Sequence, residues 1–187
     1  MSEYVIRQRS VVADDCHILH LAEGADPATA TVPAGKVLVP LALWQAQRES
    51  LRERAASGEV GVWLNAGEHP DELGDEAADL QHIGVHFPKF TDGRGYSTAT
   101  LLRTRYRYTG ELRAFGDVLR DQFNYLVRSG FDTLQPRSGR YTPAQLGEAI
   151  ASIADFTAPY QASVQDPLPL FRRVDRAAQE RPDAVQS

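Results

Sequence analysis

Between Phe87 and Asp132 the chain gathers Gly, Arg, Asp and aromatic residues more densely than anywhere else. Pro88 to Arg128 carries eight Lys/Arg against four Asp/Glu, a local charge of +4 in a chain of net charge −5. A cationic island in an acidic protein points to an anionic ligand or partner, although a solvated ion-pair network gives the same count. Gly93-Arg94-Gly95 is its sharpest motif. Two glycines let the backbone turn and approach a ligand, and the helix expected next presents free N–H groups to an anion. Arg94 adds a bidentate donor, Lys89 a point charge, and Tyr96 and Ser97 hydroxyls. Paired to Asp92, Arg94 would instead lock a tight turn. Arg113 sits inside an apolar segment, where a guanidinium needs carboxylate partners. Asp92, Asp117 and Asp121 are the carboxylates expected on the same edge. An ion pair fastening helix to sheet is the favoured reading of Arg113, with an anion clamp as the functional one. Asp92 and Asp117 would orient the arginines or transfer protons.

Other chemistries lack their residues. A GxGxxG fingerprint needs glycine at position 98, which is Thr98, and Glu111 opens the next strand instead of reaching a ribose. Neither GxxxxGK[ST] nor GxSxG occurs. His17 and His20, and His82 and His86, have no cysteine or second carboxylate at ligand spacing, so no metal site is expected. Cys16 is the single cysteine, which excludes an intramolecular disulfide. Its neighbour His17 would point to the other face of a strand, so a Cys/His nucleophile is not supported. No CxxC or cluster spacing is present, and no cofactor is assigned.

The elements that position these residues follow a rhythm. Apolar runs without two-residue alternation occur at 36–43, 60–64 and 82–87, with further strands at 111–116 and 131–136. Helical segments separate them at 45–57, 71–80, 96–106 and 118–129, and a last helix opens at Pro143. Asp117 suits the N-cap and Gly130 the stop of the 118–129 helix. Strands buried on both sides and joined by helices make an α/β fold with a mostly parallel sheet of about five βα units. An open three-layer sheet and a partial TIM-like barrel both satisfy this pattern, the open sheet being slightly favoured. Residues 4–20 read as an N-terminal β-hairpin turning at Ala13-Asp14-Asp15, followed by a Gly/Pro/Thr-rich loop. The expected organisation is a hairpin and loop over 1–35, an α/β domain over 36–162 and a mobile tail over 163–187. In a parallel fold the loop after 82–87 and the Gly116-Asp117 turn open on the same carboxyl edge, where ligands bind.

The chain has no secretory leader pattern and no apolar run long enough for a membrane span, so a cytoplasmic protein is expected. Its pI near 5.5 argues against nucleic-acid binding.

FPKFTDGRGYS at 87–97, LLR at 101–103, GELRAFGDVLRDQ at 110–122 and RSGFD at 128–132 closely resemble the bacterial domain-of-unknown-function family 934. The resemblance spans about residues 36–161, including GVWL at 61–64 and Tyr160-Gln161. This family often carries the label of an oxidoreductase involved in sulfite reduction, which comes largely from gene neighbourhood. The resemblance therefore implies an accessory protein of assimilatory sulfate or sulfite reduction. Its partner would be sulfite reductase or another enzyme of sulfate assimilation. A small acid–base enzyme with an anionic substrate and a non-catalytic interaction module are the alternatives. Ser129 stands where the family pattern favours cysteine, so any redox chemistry would borrow a flavin or a partner's cofactor.

Overall fold

The computed structural model describes residues 4–154. They form one eight-stranded sheet: β1 (Tyr4–Arg7), β2 (Ser10–Ala13), β3 (His17–Ile18), β4 (Val37–Pro40), β5 (Val60–Leu64), β6 (His82–Phe87), β7 (Glu111–Gly116) and β8 (Thr133–Pro136). The spatial order is β2-β1-β8-β7-β6-β5-β4-β3. Strands β3 to β8 run parallel, and β1 joins β8 antiparallel. Four helices accompany them: α1 (Leu41–Ala56), α2 (Arg94–Thr104), α3 (Phe123–Arg128) and α4 (Pro143–Ala154). The α/β class and the parallel rhythm agree with the sequence. The segment assigned as a mobile tail lies outside the described residues.

All four helices bury their apolar sides on one face of the sheet. That core joins Val37, Val62, Val85, Leu112 and Leu134 from the strands to Leu43, Leu51, Leu102, Phe123 and Leu146 from the helices. The opposite face holds a separate small cluster of Leu38, Trp63 and Phe115, covered by Cys16 and Ile18. Two glycines make room for it. A Cβ on Gly61 would lie 2.3 Å from the His82 carbonyl oxygen, and one on Gly84 3.0 Å from the Trp63 Cβ.

Helices on one face and side chains filling the other describe a curled half-barrel, the second of the two architectures open at the sequence level. One connection requires the curl. Only residues 14–16 join β2, at one edge of the sheet, to β3 at the other. Eight flat strands would set their outer edges roughly 33 Å apart. The chain from Ala13 to His17 can span only about 14 Å.

Three local expectations are corrected. The hairpin turns at Gln8-Arg9, both at positive φ, and pairs Arg7 with Ser10. A two-residue loop of that hand matches the strand twist. The apolar run after Cys16 is therefore not its second strand but β3, paired with β4 across the sheet. Residues 70–79 form two 3-10 stretches instead of one helix, divided where Gly74 takes φ +56. The helix expected from Val118 begins at Phe123, because Leu119 is extended and a 3-10 turn intervenes.

Candidate functional site at the carboxyl edge

The loop after β6 and the start of α2 place Lys89, Gly93 and Ser97 at the surface. Arg94 is 65% exposed, and its Nε and Nη2 donate to both oxygens of Asp92 at 3.0 and 2.7 Å. Asp92 also accepts the Arg94 backbone N–H, at 3.2 Å. The side-chain and backbone hydrogen bonds from Arg94 hold its carboxyl at about 2. Gly95 is a packing requirement, since a Cβ there would meet the Phe87 ring at 2.5 Å. Tyr96 packs on Phe87, ring centroids 5.3 Å apart. Asp117 caps no helix. It accepts the Phe90 N–H at 3.0 Å and faces Arg137 and Arg140 at 3.8 and 3.5 Å.

Arg113 does not join these residues, and its expected partners Asp92, Asp117 and Asp121 are replaced. It is 3% exposed on the inner face and donates to Asp14 at 2.9 Å and Gln135 at 3.0 Å, with Glu111 at 3.7 Å. The alternation of β7 sends Arg113 inward, whereas Asp117 lies past the end of the strand. The sequence's cationic island is likewise divided. Arg103, only 12% exposed, donates to the carbonyls of Tyr108, Gly110 and Gly130 and pairs with Asp132. It ties the end of α2 to the entries of β7 and β8, a structural task.

What the edge does present is aromatic. Phe90 and Tyr125 are each 53% exposed. Phe90 is held at both backbone groups: its N–H donates to Asp117, and its carbonyl accepts from Gln122 Nε2 at 2.8 Å. Tyr125, one turn along from Gln122, packs on Tyr96 in a tilted arrangement with ring centroids 4.6 Å apart. Phe90, Tyr96 and Tyr125 thus gather around Gln122, with Lys89 and Arg94 in the same loop and helix start.

Around the edge, on the inner face, four rings meet. His86 stacks on Phe115 at 5.0 Å, Trp63 lies 5.7 Å from both, and His20 is 5.3 Å from Trp63 and 6.1 Å from His86. The Trp63 indole donates to the Leu19 carbonyl at 2.9 Å. The Asn65 amide oxygen sits 3.2 Å from His86 Nδ1, which places the proton on that nitrogen. Burial, and then His17, push the His20 imidazole below its ordinary range. Burial, then His20 and Arg137, do the same to His86. Both rings are therefore neutral at pH 7. Spacing by twos from Arg113 and its neighbour Gly84 leads inward to Phe115 and His86, which is the signal the sequence carried. His20 needed the crossing of residues 14–16 to reach them.

Among the described residues, no group of His, Cys, Asp and Glu is placed to hold a metal ion, and no helix is long and apolar enough to cross a membrane. The profile of a family described as a bacterial protein of unknown function matches residues 61–171. No curated protein and no solved structure matches the chain.

Proposed function

The chain belongs to the DUF934 family, and from that premise we propose that it is an accessory protein of assimilatory sulfate or sulfite reduction. It docks an acidic patch of sulfite reductase on the carboxyl edge of its sheet. The pathway follows from the family resemblance. The docking reading is carried by one observation: Phe90 is half exposed while both its backbone groups are hydrogen-bonded. An exposed aromatic residue whose backbone is fixed in that way orders little main chain on binding, and exposed aromatic residues anchor interfaces. Tyr96 and Tyr125 extend the apolar contact, and Lys89 supplies charge complementary to an acidic surface, while Arg94 is neutralised by Asp92. Asp92, held at about 2 by Arg94, acts as counter-ion to that arginine and not as a base at neutral pH.

Two experiments test this. A deletion strain should grow normally on cysteine and poorly on sulfate, and equal growth on both would end the pathway assignment. Capture from a native extract with the tagged chain should recover sulfite reductase, and Phe90→Ala with Tyr125→Ala should abolish it. Recovery of no sulfate-assimilation enzyme by the wild-type chain would overturn the docking reading.

A further inference from the structure

A cavity of about 220 Å³ opens between β3 and the end of β8, lined by Cys16, Ile18, His20, Phe115, Gln135 and Arg137 among others. Its volume lies below the usual range for cofactor and drug-sized ligands, so its occupant is small. Its polar lining holds no carboxylate and several donors. Gln135 is buried, and its Oε1 accepts from Arg113 Nη1 at 3.0 Å. A guanidinium only donates, so the amide orientation is fixed and the –NH₂ is the group left for the cavity. Arg137 is 63% exposed, and its contact with Asp117 at 3.8 Å is too long for a hydrogen bond. Its donors remain available on the cavity side. His20 offers a ring N–H. Burial raises the Cys16 thiol to about 11, so no thiolate repels an anion here. Asp14 and Glu111 lie one layer deeper in the half-barrel, where they engage Arg113, Arg7, Thr133 and His82. No carboxylate lines the cavity. With no carboxylate on the lining, the charged Arg137 and the Gln135 amide favour a ligand that accepts hydrogen bonds, and Ile18 and Phe115 form the apolar part of the wall.

We infer that this cavity binds a small oxyanion through the Gln135 amide, the Arg137 guanidinium and the His20 imidazole. The site is separate from Gly93-Arg94-Gly95 and stands independently of partner docking. An anion held against His20 favours protonation of that ring.

Isothermal titration of the full chain with sulfate, sulfite, phosphate and chloride tests the site. Saturable one-to-one binding of at least one oxyanion is expected, with chloride failing to compete at equal ionic strength. Arg137→Ala should weaken it by roughly tenfold or more, as loss of a charge-assisted hydrogen bond does. His20→Phe keeps the ring packing, removes the donor and should weaken it several-fold. Arg94→Ala should leave it unchanged. Arg137 and Arg94 are both exposed loop or helix-start residues, so neither substitution threatens the fold. Absence of saturable binding, equal binding of chloride, or equal effects of Arg137→Ala and Arg94→Ala would overturn the assignment.

Discussion

Arg113 and Asp14 stand 99 positions apart in sequence and meet in a pair with side-chain exposures of 3% and 2%. A guanidinium and a carboxylate taken out of water stabilise each other only while both are present. Asp14→Asn or Arg113→Met alone should each cost about 3–5 kcal/mol in urea unfolding. The double substitution should cost clearly less than the sum, which a double-mutant cycle reads directly. Glu111, in the same layer, gives a pH signature. Burial raises its carboxyl, but hydrogen bonds from His82 and Thr133 and the charges of Arg7 and Arg113 outweigh it and hold it at about 2. A folded value below the unfolded one contributes stability that is full above the ordinary 4.5 and is lost as pH falls toward 2. The stability gap between wild type and Glu111→Gln should therefore narrow across that window. A gap that stays constant would show that Glu111 keeps its unfolded affinity for protons.

At the scale of elements, Arg103 fixes one junction. It satisfies carbonyls of Tyr108, Gly110 and Gly130, and through Asp132 it orients the acceptor of the Leu112 N–H. Arg103→Ala should cost about 2–3 kcal/mol, because three part-buried carbonyls lose their partner at once. Arg103→Lys should rescue little, since an ammonium cannot reproduce a planar fork. Gly95→Ala drives a methyl into the Phe87 ring and should cost about 1–3 kcal/mol by thermal unfolding. The βα rhythm was legible because β5 and β6 are apolar on the helix-covered face and closely packed on the other, so no alternation masks them. The hairpin boundary was not legible. Gln8 and Arg9 are unusual residues for positive φ, and Ala13-Asp14-Asp15 has the ordinary composition of a turn. Gly93-Arg94-Gly95 had the composition of an anion loop. Yet Gly95 is spent on Phe87 and Arg94 on Asp92, and spacing alone does not reveal which neighbour a side chain will find.

For the whole molecule, the helix-free face is filled by its own first residues. Arg7 reaches Asp15 at 2.8 Å and Lys36 reaches the same carboxylate at 3.0 Å, so ion pairs join β1 to the start of β4 across the gap. These are partly exposed pairs. Asp15→Ala should lower stability by no more than about 1 kcal/mol, and added salt should shrink the difference further. The basic stretch read as a single island is a composite of one exposed loop, one buried pair and one junction clamp. Only three-dimensional placement separates them.

The three-residue passage from β2 to β3 bears on how this protein can be divided. The family pattern begins at residue 61, inside β5, whereas β1 to β4 precede it and supply both margins of the sheet. Ile6 pairs with Leu134, so the sheet joins partners from nearly opposite ends of the described chain. What is inherited as a pattern is thus smaller than what folds as a unit. A fragment starting at residue 61 would carry Phe90 and Arg137 but neither Asp14 nor His20. Such a fragment should show no cooperative unfolding transition, and adding residues 4–60 as a separate peptide should restore one only when the two associate.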